Sequence, residues 1–417
     1  MQPLTVVFLI ALGLWLWARL WLNLRQARNV ARHRELVPEP FQDQVSLTEH
    51  QKAADYTLAR TRLNRATYLA DTLILLAWTL GGGLQALDEA WRAALDSPLL
   101  VGTAVMVSAL LIMGALELPA SAYRTFVIEE RFGFNRTTHA TFVADALKGG
   151  ALLLIIGVPF SLLVLWLMHH TGQAWWLWVW AAWLGLSLAM TWAYPALIAP
   201  LFNRFRPLDR AGLDAQIRQL LERCGFRTQG IYVMDGSRRS AHGNAYFTGL
   251  GRAKRIVFFD TLLDALEDRQ VIAVLAHELG HFKRRHVIKG LAVSAAVGLA
   301  GLAVLAWLME QTWFYRGLGV DRPSVHTALL LFLLVAPVFS FFLQPALTWL
   351  SRRHEYEADA FAAQQTQPQP LIEALVRLYR SNATTLTPDP LHSAVYDSHP
   401  PAMNRIARLR QIGGVPA

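Results

Sequence analysis

In "VIAVLAHELGHFKRRHVIKGLAV", residues 271–293, His277, Glu278 and His281 form an H-E-x-x-H pattern immediately before a long apolar run. On a helix the two histidines lie one turn apart, so both imidazoles can reach one cation, while Glu278 projects close enough to take a proton from a bound water. Two imidazoles do not complete such a site. The segment "LSRRHEYEADAFAA", residues 350–363, offers carboxylates: on a helix Glu355 and Asp359 are four apart and share a face, whereas Glu357 points to another side. Glu355 is the expected third ligand, and Asp359 the carboxylate expected to fix the tautomer of a ligating imidazole from behind. Each segment alone has a bland alternative, a chance motif among 13 histidines or a solvated charged helix after a span.

Position favours the metal reading. Apolar runs of bilayer-crossing length, about 20 residues, occur at roughly 4–24, 67–87, 98–120, 149–169, 174–198, 287–309 and 326–350. The sixth starts soon after His281 and the seventh ends shortly before Glu355. At 1.5 Å per helical residue all three ligands lie within roughly 10 Å of one membrane surface. A hydrophobic content of 54% with 15 Trp agrees with a polytopic membrane chain. The first run lacks a basic leader and a small-residue cleavage site, so it reads as a retained anchor.

The single cysteine, Cys224, excludes an internal disulfide and a cysteine-based zinc cluster. The net charge of +9 reflects topology rather than a nucleic-acid surface, because Lys and Arg concentrate in alternate connections. They crowd the connections after the first, third and fifth runs and the tail after the seventh, which places these on the cytoplasmic side and the N-terminus outside. The polar insertion at about 199–286 and the tail beyond 350 thus share one side. In the insertion, "LDRAGLDAQIRQLLERCGF" has helical periodicity, "GIYVMD", "NAYFTG" and "RIVFFD" read as short strands, and the stretch from Leu263 to His286 reads as one helix. The tail reads as helices over about 352–364 and 369–381, a Pro-rich loop "TPDPLHSAVYDSHPP", and a last short helix.

These segments together resemble the integral-membrane zinc metalloproteases of the CAAX prenyl endopeptidase type (type I). The resemblance rests on "AHELGHFKRRH" and "SRRHEYEADAFA", and extends to "DGSRRSAHGNAYFTGLGRAKRIVFFDTLL", "SAYRTFVIEERFGFNRTT", "YPALIAPLFNRFRPL" and "TPDPLHSAVYDSHPPAMNRI". It implies an α-helical polytopic membrane fold, about seven transmembrane helices around an intramembrane chamber. A small α+β thermolysin-like zinc domain would close the cytosolic side. The expected division is 1–198 for helices one to five, 199–286 for the part of the zinc domain carrying H-E-x-x-H, 287–350 for helices six and seven, and 351–417 for the part carrying the third ligand.

The resemblance implies one Zn2+ per chain held by His277, His281 and Glu355, with Glu278 as general base and Asp359 behind the ligands. His399, in "SHPPAMNR", matches a histidine that steadies the developing oxyanion, and Arg405 a buried arginine supporting the site. The stretch "HGNAYFTG", 242–249, matches an edge strand that pairs with an extended substrate backbone, with Asn244 and Ala245 on it. His399 as a plain loop residue, Arg405 as a surface charge and 242–249 as sheet packing are the alternatives. Asp71 and Glu117 lie inside spans and are expected to face the interior, by cost of burial in lipid; helix pairing is the alternative. His169 and His170 read as interfacial anchors.

The expected partners are peptide or protein substrates, prenylated or tethered to the membrane, together with membrane lipid and no nucleic acid. The richness in Ala, Leu, Trp and Arg points to a bacterial inner membrane, with the site facing the cytoplasm. Two further readings stay open: a quality-control protease with no lipid requirement, and a seven-span transporter with a structural metal. A site-2-type protease fits less well, because its motif lies within an apolar span.

Overall fold

The computed structural model describes residues 2–248 and 255–414. Its membrane half contains α1 (Pro3–Arg32), α2 (Leu47–Trp78), α3 (Gly83–Ala94), α4 (Pro98–Tyr123), α5 (His139–His170) and α6 (Trp175–Ala193). Ser46 starts α2 with a capping box, its hydroxyl accepting from Glu49 N–H while the Glu49 carboxylate accepts from Ser46 N–H at 2.9 Å. Both α4 and α6 run on through π-helical turns, Arg124–Glu129 and Tyr194–Ile198, each near a proline that cannot donate to the helical ladder.

Next come α7 (Ala199–Phe202), β1 (Phe205–Pro207), α8 (Ala211–Cys224), β2 (Gly230–Met234), β3 (Ala245–Thr248), β4 (Arg255–Phe259), α9 (Asp260–Ala265) and α10 (Asp268–Lys283). The chain then returns to the apolar layer as α11 (His286–Met309), α12 (Thr312–Gly317) and α13 (Val325–Ser340). It ends with α14 (Gln344–Thr366), α15 (Pro368–Ser381), α16 (Pro390–Tyr396) and α17 (Ala402–Ile412).

Among the described residues six helical stretches are long and apolar enough to cross a membrane, and α2 with α3 makes a seventh if that pair, bent by 49°, is one span. The second span is therefore not the straight run expected over 67–87. At Gly81 a β-carbon would sit 2.9 Å from the Ala77 backbone, and Gly82 adopts φ +75°, so the three consecutive glycines turn the chain. Neighbour packing closes a ring: α1 touches α2 and α13, α13 touches α11, α11 touches α6, α6 touches α5, α5 touches α4, and the π-helical end of α4 touches α2. Only 6% of the most apolar window of α6 and of α11 is buried, so protein covers neither face of these walls. An apolar plug of Phe8, Leu12, Leu84, Val105, Leu165, Ala328 and Leu331 fills one end.

The sheet has the order β1-β2-β4-β3, with β2 and β4 parallel and β3 antiparallel to β4, Ala245 opposite Phe258. Thus β3 is an edge strand. Against the sheet pack Leu213, Ile217, Leu220 and Leu221 of α8, at one-face spacing, and Leu275 and Leu279 of α10. Each such fully buried side chain contributes roughly 1.5–3 kcal/mol, enough to fix α10 firmly.

Several local expectations need correction. The helix expected over 263–286 is broken at Leu266–Glu267, where Glu267 N–H donates to Gln270 Oε1 at 3.1 Å and restarts it as α10. The Pro-rich segment is not all loop: Asp389 accepts from the backbone N–H of Leu391 and His392 and caps α16. The boundary expected at 350 falls inside α14, which is continuous from Gln344. Gly249 of the expected strand lies outside the described residues.

Candidate metal centre

Gly280 explains how α10 and α14 come close. A β-carbon there would stand 2.9 Å from Ala358 Cα, so the two helices touch backbone to backbone beside His277, His281 and Glu355. The His277 and His281 Nε2 atoms are 3.2 Å apart; His277 Nε2 is 3.5 Å from Glu355 Oε2 and His281 Nε2 is 3.3 Å from Glu355 Oε1. A tetrahedral ion with bonds of about 2.0–2.1 Å spaces its ligands by roughly 3.3 Å. The three donors therefore fit a zinc-sized cation. Glu355 Oε2 is buried and accepts no hydrogen bond, an acceptor that a cation would satisfy.

Behind His277, Asp359 Oδ1 lies 2.9 Å from Nδ1, and Arg405 holds both Asp359 oxygens at 2.6 and 2.8 Å. A carboxylate only accepts, so Nδ1 carries the proton and Nε2 offers its lone pair to the centre. The Asp359 and Arg405 side chains are 2% and 7% exposed, so neither reaches the open space. Burial works against the Arg405 charge, and the Asp359 pair more than offsets it. Two carboxylates against one guanidinium leave a surplus negative charge. Burial alone would lower the His277 pKa, yet hydrogen bonds to Asp359 and Glu355 raise it to about 9, so without metal a proton on His277 supplies the missing positive charge.

Glu278 is half-buried on the same helix turn. Burial raises its pKa above the ordinary carboxylate value, opposed by His277 and His281, a shift that would favour accepting a proton near neutral pH. His399 reaches the same cluster, Nε2 lying 3.4 Å from Glu355 Oε1 with the side chain 62% exposed. Surrounding protein lowers its pKa although the ring faces open space, so it is a neutral imidazole near pH 7. Asn244 is exposed just before β3 and Ala245 begins that strand.

Asp71 and Glu117 stay apart from this centre. Asp71 lies 3.7 Å from Arg19, whose guanidinium stacks over Tyr68, so Asp71 has a pairing role among the helices. Glu117 is exposed on α4. His170 stacks on Trp166 at the end of α5, as an interfacial anchor would. Two side chains without a role in the sequence reading, His286 and Glu357, stand behind His281; their only sequence signal is that they neighbour the motif residues.

The chain is similar to known proteins over most of its length. Residues 26–204 match "CAAX prenyl protease N-terminal, five membrane helices" and residues 207–413 match "Peptidase family M48". The chain is 36% identical to the CAAX prenyl protease 1 homolog of Arabidopsis thaliana over 72% of this chain and 70% of that protein. It is 30% identical to CAAX prenyl protease 1 of Saccharomyces cerevisiae over 93% and 91%. The crystal structure of S. mikatae Ste24p superposes with a TM-score of 0.89 at 27% identity, covering 98% of this chain and 99% of that one. The helical ring, the intramembrane chamber it encloses and the α+β domain on one end are thus one shared architecture. The chain belongs to peptidase family M48 and is a multi-pass membrane metalloendopeptidase.

Proposed function

We propose that the metal is zinc, one per chain, held by His277, His281 and Glu355, and that the enzyme cuts peptide bonds near the prenylated C-a-a-X end of membrane-tethered proteins. The observation that carries the metal assignment is the convergence of two imidazoles and the buried Glu355 carboxylate at tetrahedral spacing. When bound, zinc supplies Lewis acidity that makes water nucleophilic near neutral pH. Glu278 takes the proton of the attacking water and returns it to the leaving amine. Ser398 Oγ, 3.0 Å from His399 Nδ1, donates there and leaves Nε2–H to stabilise the oxyanion growing on the scissile carbonyl. The exposed edge of β3, beginning at Asn244 and Ala245, binds substrate main chain, which tolerates varied side chains.

The substrate class rests on the names of the relatives and on the open chamber, which suits a chain anchored in lipid and delivered along the bilayer. The clustering of Lys and Arg on the zinc-domain side supports a cytoplasmic site, and composition supports a bacterial inner membrane. Hydrolysis of a quenched-fluorescence farnesylated peptide by purified enzyme, beside its unprenylated control, tests this. Preference for the farnesylated peptide by tenfold or more in kcat/KM is expected. Equal rates would mean that the enzyme has no lipid requirement, as in quality-control proteolysis.

A further inference from the structure

The two histidines of the centre are not alike in what stands behind them. His277 is backed by Asp359 and Arg405, as described above. His281 Nδ1 lies 3.0 Å from His286 Nδ1, and His286 Nε2 lies 3.1 Å from Glu357 Oε2. Arg353 in turn holds Glu357 at 3.3 Å. We propose that His286 and Glu357 form a positioning chain that fixes the tautomer and orientation of His281, a deepening of the zinc reading on which it rests.

The hydrogen-bond inventory allows one assignment. The Glu357 carboxylate only accepts, so His286 Nε2 donates to it. A neutral His286 then has a lone pair at Nδ1, and His281 must donate its own Nδ1–H to that atom. This leaves His281 Nε2 with its lone pair aimed at His277 Nε2 and Glu355, as ligation requires. The chain thus parallels the one behind His277, where carboxylate and arginine follow the ligand directly, with His286 inserted here as a relay. Both carboxylates come from α14, two residues apart.

Two features hold His286 for this task. Arg285, between α10 and α11, adopts φ +57°, a left-handed conformation that costs a non-glycine residue energy and folds the chain back so that the first residue of α11 faces His281. The His286 ring also stacks on His354, with centroids 4.0 Å apart and planes at 11°, and is buried. The entry angle of a membrane helix therefore sets the orientation of a metal ligand.

The difference in burial predicts unequal weight. Glu357 is 30% exposed and Arg353 64%, against 2% and 7% for Asp359 and Arg405, so the His281 chain contributes less. The test is zinc affinity of the full-length protein in detergent, measured by competition with a chromogenic chelator for wild type, His286→Leu, His286→Asn and Glu357→Ala. The amide oxygen of Asn can accept from His281 Nδ1–H in roughly the place of Nδ1. Expected is a loss of about 10- to 100-fold for His286→Leu, a smaller loss for Glu357→Ala, and recovery to within about threefold of wild type for His286→Asn. Unchanged affinity in His286→Leu, or a loss in His286→Asn equal to that in His286→Leu, overturns the proposal. Absence of zinc from the wild type would instead defeat the metal assignment beneath it.

Discussion

Among the described residues two buried histidine–aspartate–arginine clusters stand out, and the proposed zinc site adjoins only the first. In the first, His277, Asp359 and Arg405 are joined by contacts of 2.6–2.9 Å. In the second, His326 Nε2 lies 2.6 Å from Asp88 Oδ1 and Arg92 Nε donates to Asp88 Oδ2 at 2.7 Å. Both draw a residue, His326 and Asp359, from the same near-continuous helical stretch of α13 and α14, separated by roughly 50 Å at 1.5 Å per residue. Around His326 the remaining space is filled: Ser324 Oγ lies 3.1 Å from its Nε2, and a β-carbon on Gly102 would come 2.9 Å from its Nδ1. Around His277 a second imidazole and a second buried carboxylate, Glu355, converge instead. A buried ionic triad is therefore compatible with mere packing, and the second imidazole and second carboxylate converging beside the His277 triad are what favour a metal centre there.

The sharpest way to break this comparison is to make the same change at both ends. His277→Phe is expected to abolish bound zinc and hydrolysis, whereas His326→Phe keeps both per folded molecule and lowers only the thermal midpoint, read by metal analysis and unfolding in detergent. Zinc loss in His326→Phe would remove the distinction. Arg405→Met leaves Asp359 buried without its cation and should cost about 3–5 kcal/mol. Arg92→Met should cost less, because Arg92 is 27% exposed; equal shifts in unfolding midpoint would contradict the burial argument. A smaller effect is expected of Gly280→Ala, which pushes α10 from α14 and should cost roughly 1–3 kcal/mol, with weaker zinc binding.

The pH dependence differs between metal-free and metal-loaded protein. In the metal-free protein the raised His277 pKa, about 9, means that its protonated form stabilises the fold fully below about pH 6.5. That contribution is lost as pH rises through 9. Zinc binding has the opposite slope, because the ion displaces this proton: affinity should climb about tenfold per pH unit between about 6.5 and 9. Titrating zinc at several pH values checks the slope, and a flat profile would show that His277 is already neutral in the metal-free protein.

Much of this was legible in the sequence because it is periodic or local. Span count follows from apolar length, and the proposed ligand set from four-residue spacings at span ends, which the fold brings within 4.8 Å of one another. What stayed hidden depends on partners distant in sequence. Glu357 points away from Glu355 on its own helix, as its spacing says, but nothing in the spacing reveals that His286 waits there. The turn of His286 back toward His281 depends on a left-handed Arg285, a conformation that an arginine does not advertise. Strand β1 has three residues, too few to show alternation, and it exists because Phe205–Pro207 pair with Tyr232–Met234. The bend after α2 was written in three glycines but masked by apolar neighbours. The Asp88–His326 tie joins residues from two different spans, so no local pattern carries it.

The central claim is that Glu278 moves the proton while His277, His281 and Glu355 hold the metal. Bound zinc and peptide hydrolysis measured together in wild type and Glu278→Gln test it most directly. The account predicts about one zinc per chain in both proteins, with turnover reduced by about a thousandfold or more in the variant. Undiminished hydrolysis by a zinc-loaded Glu278→Gln enzyme would contradict it.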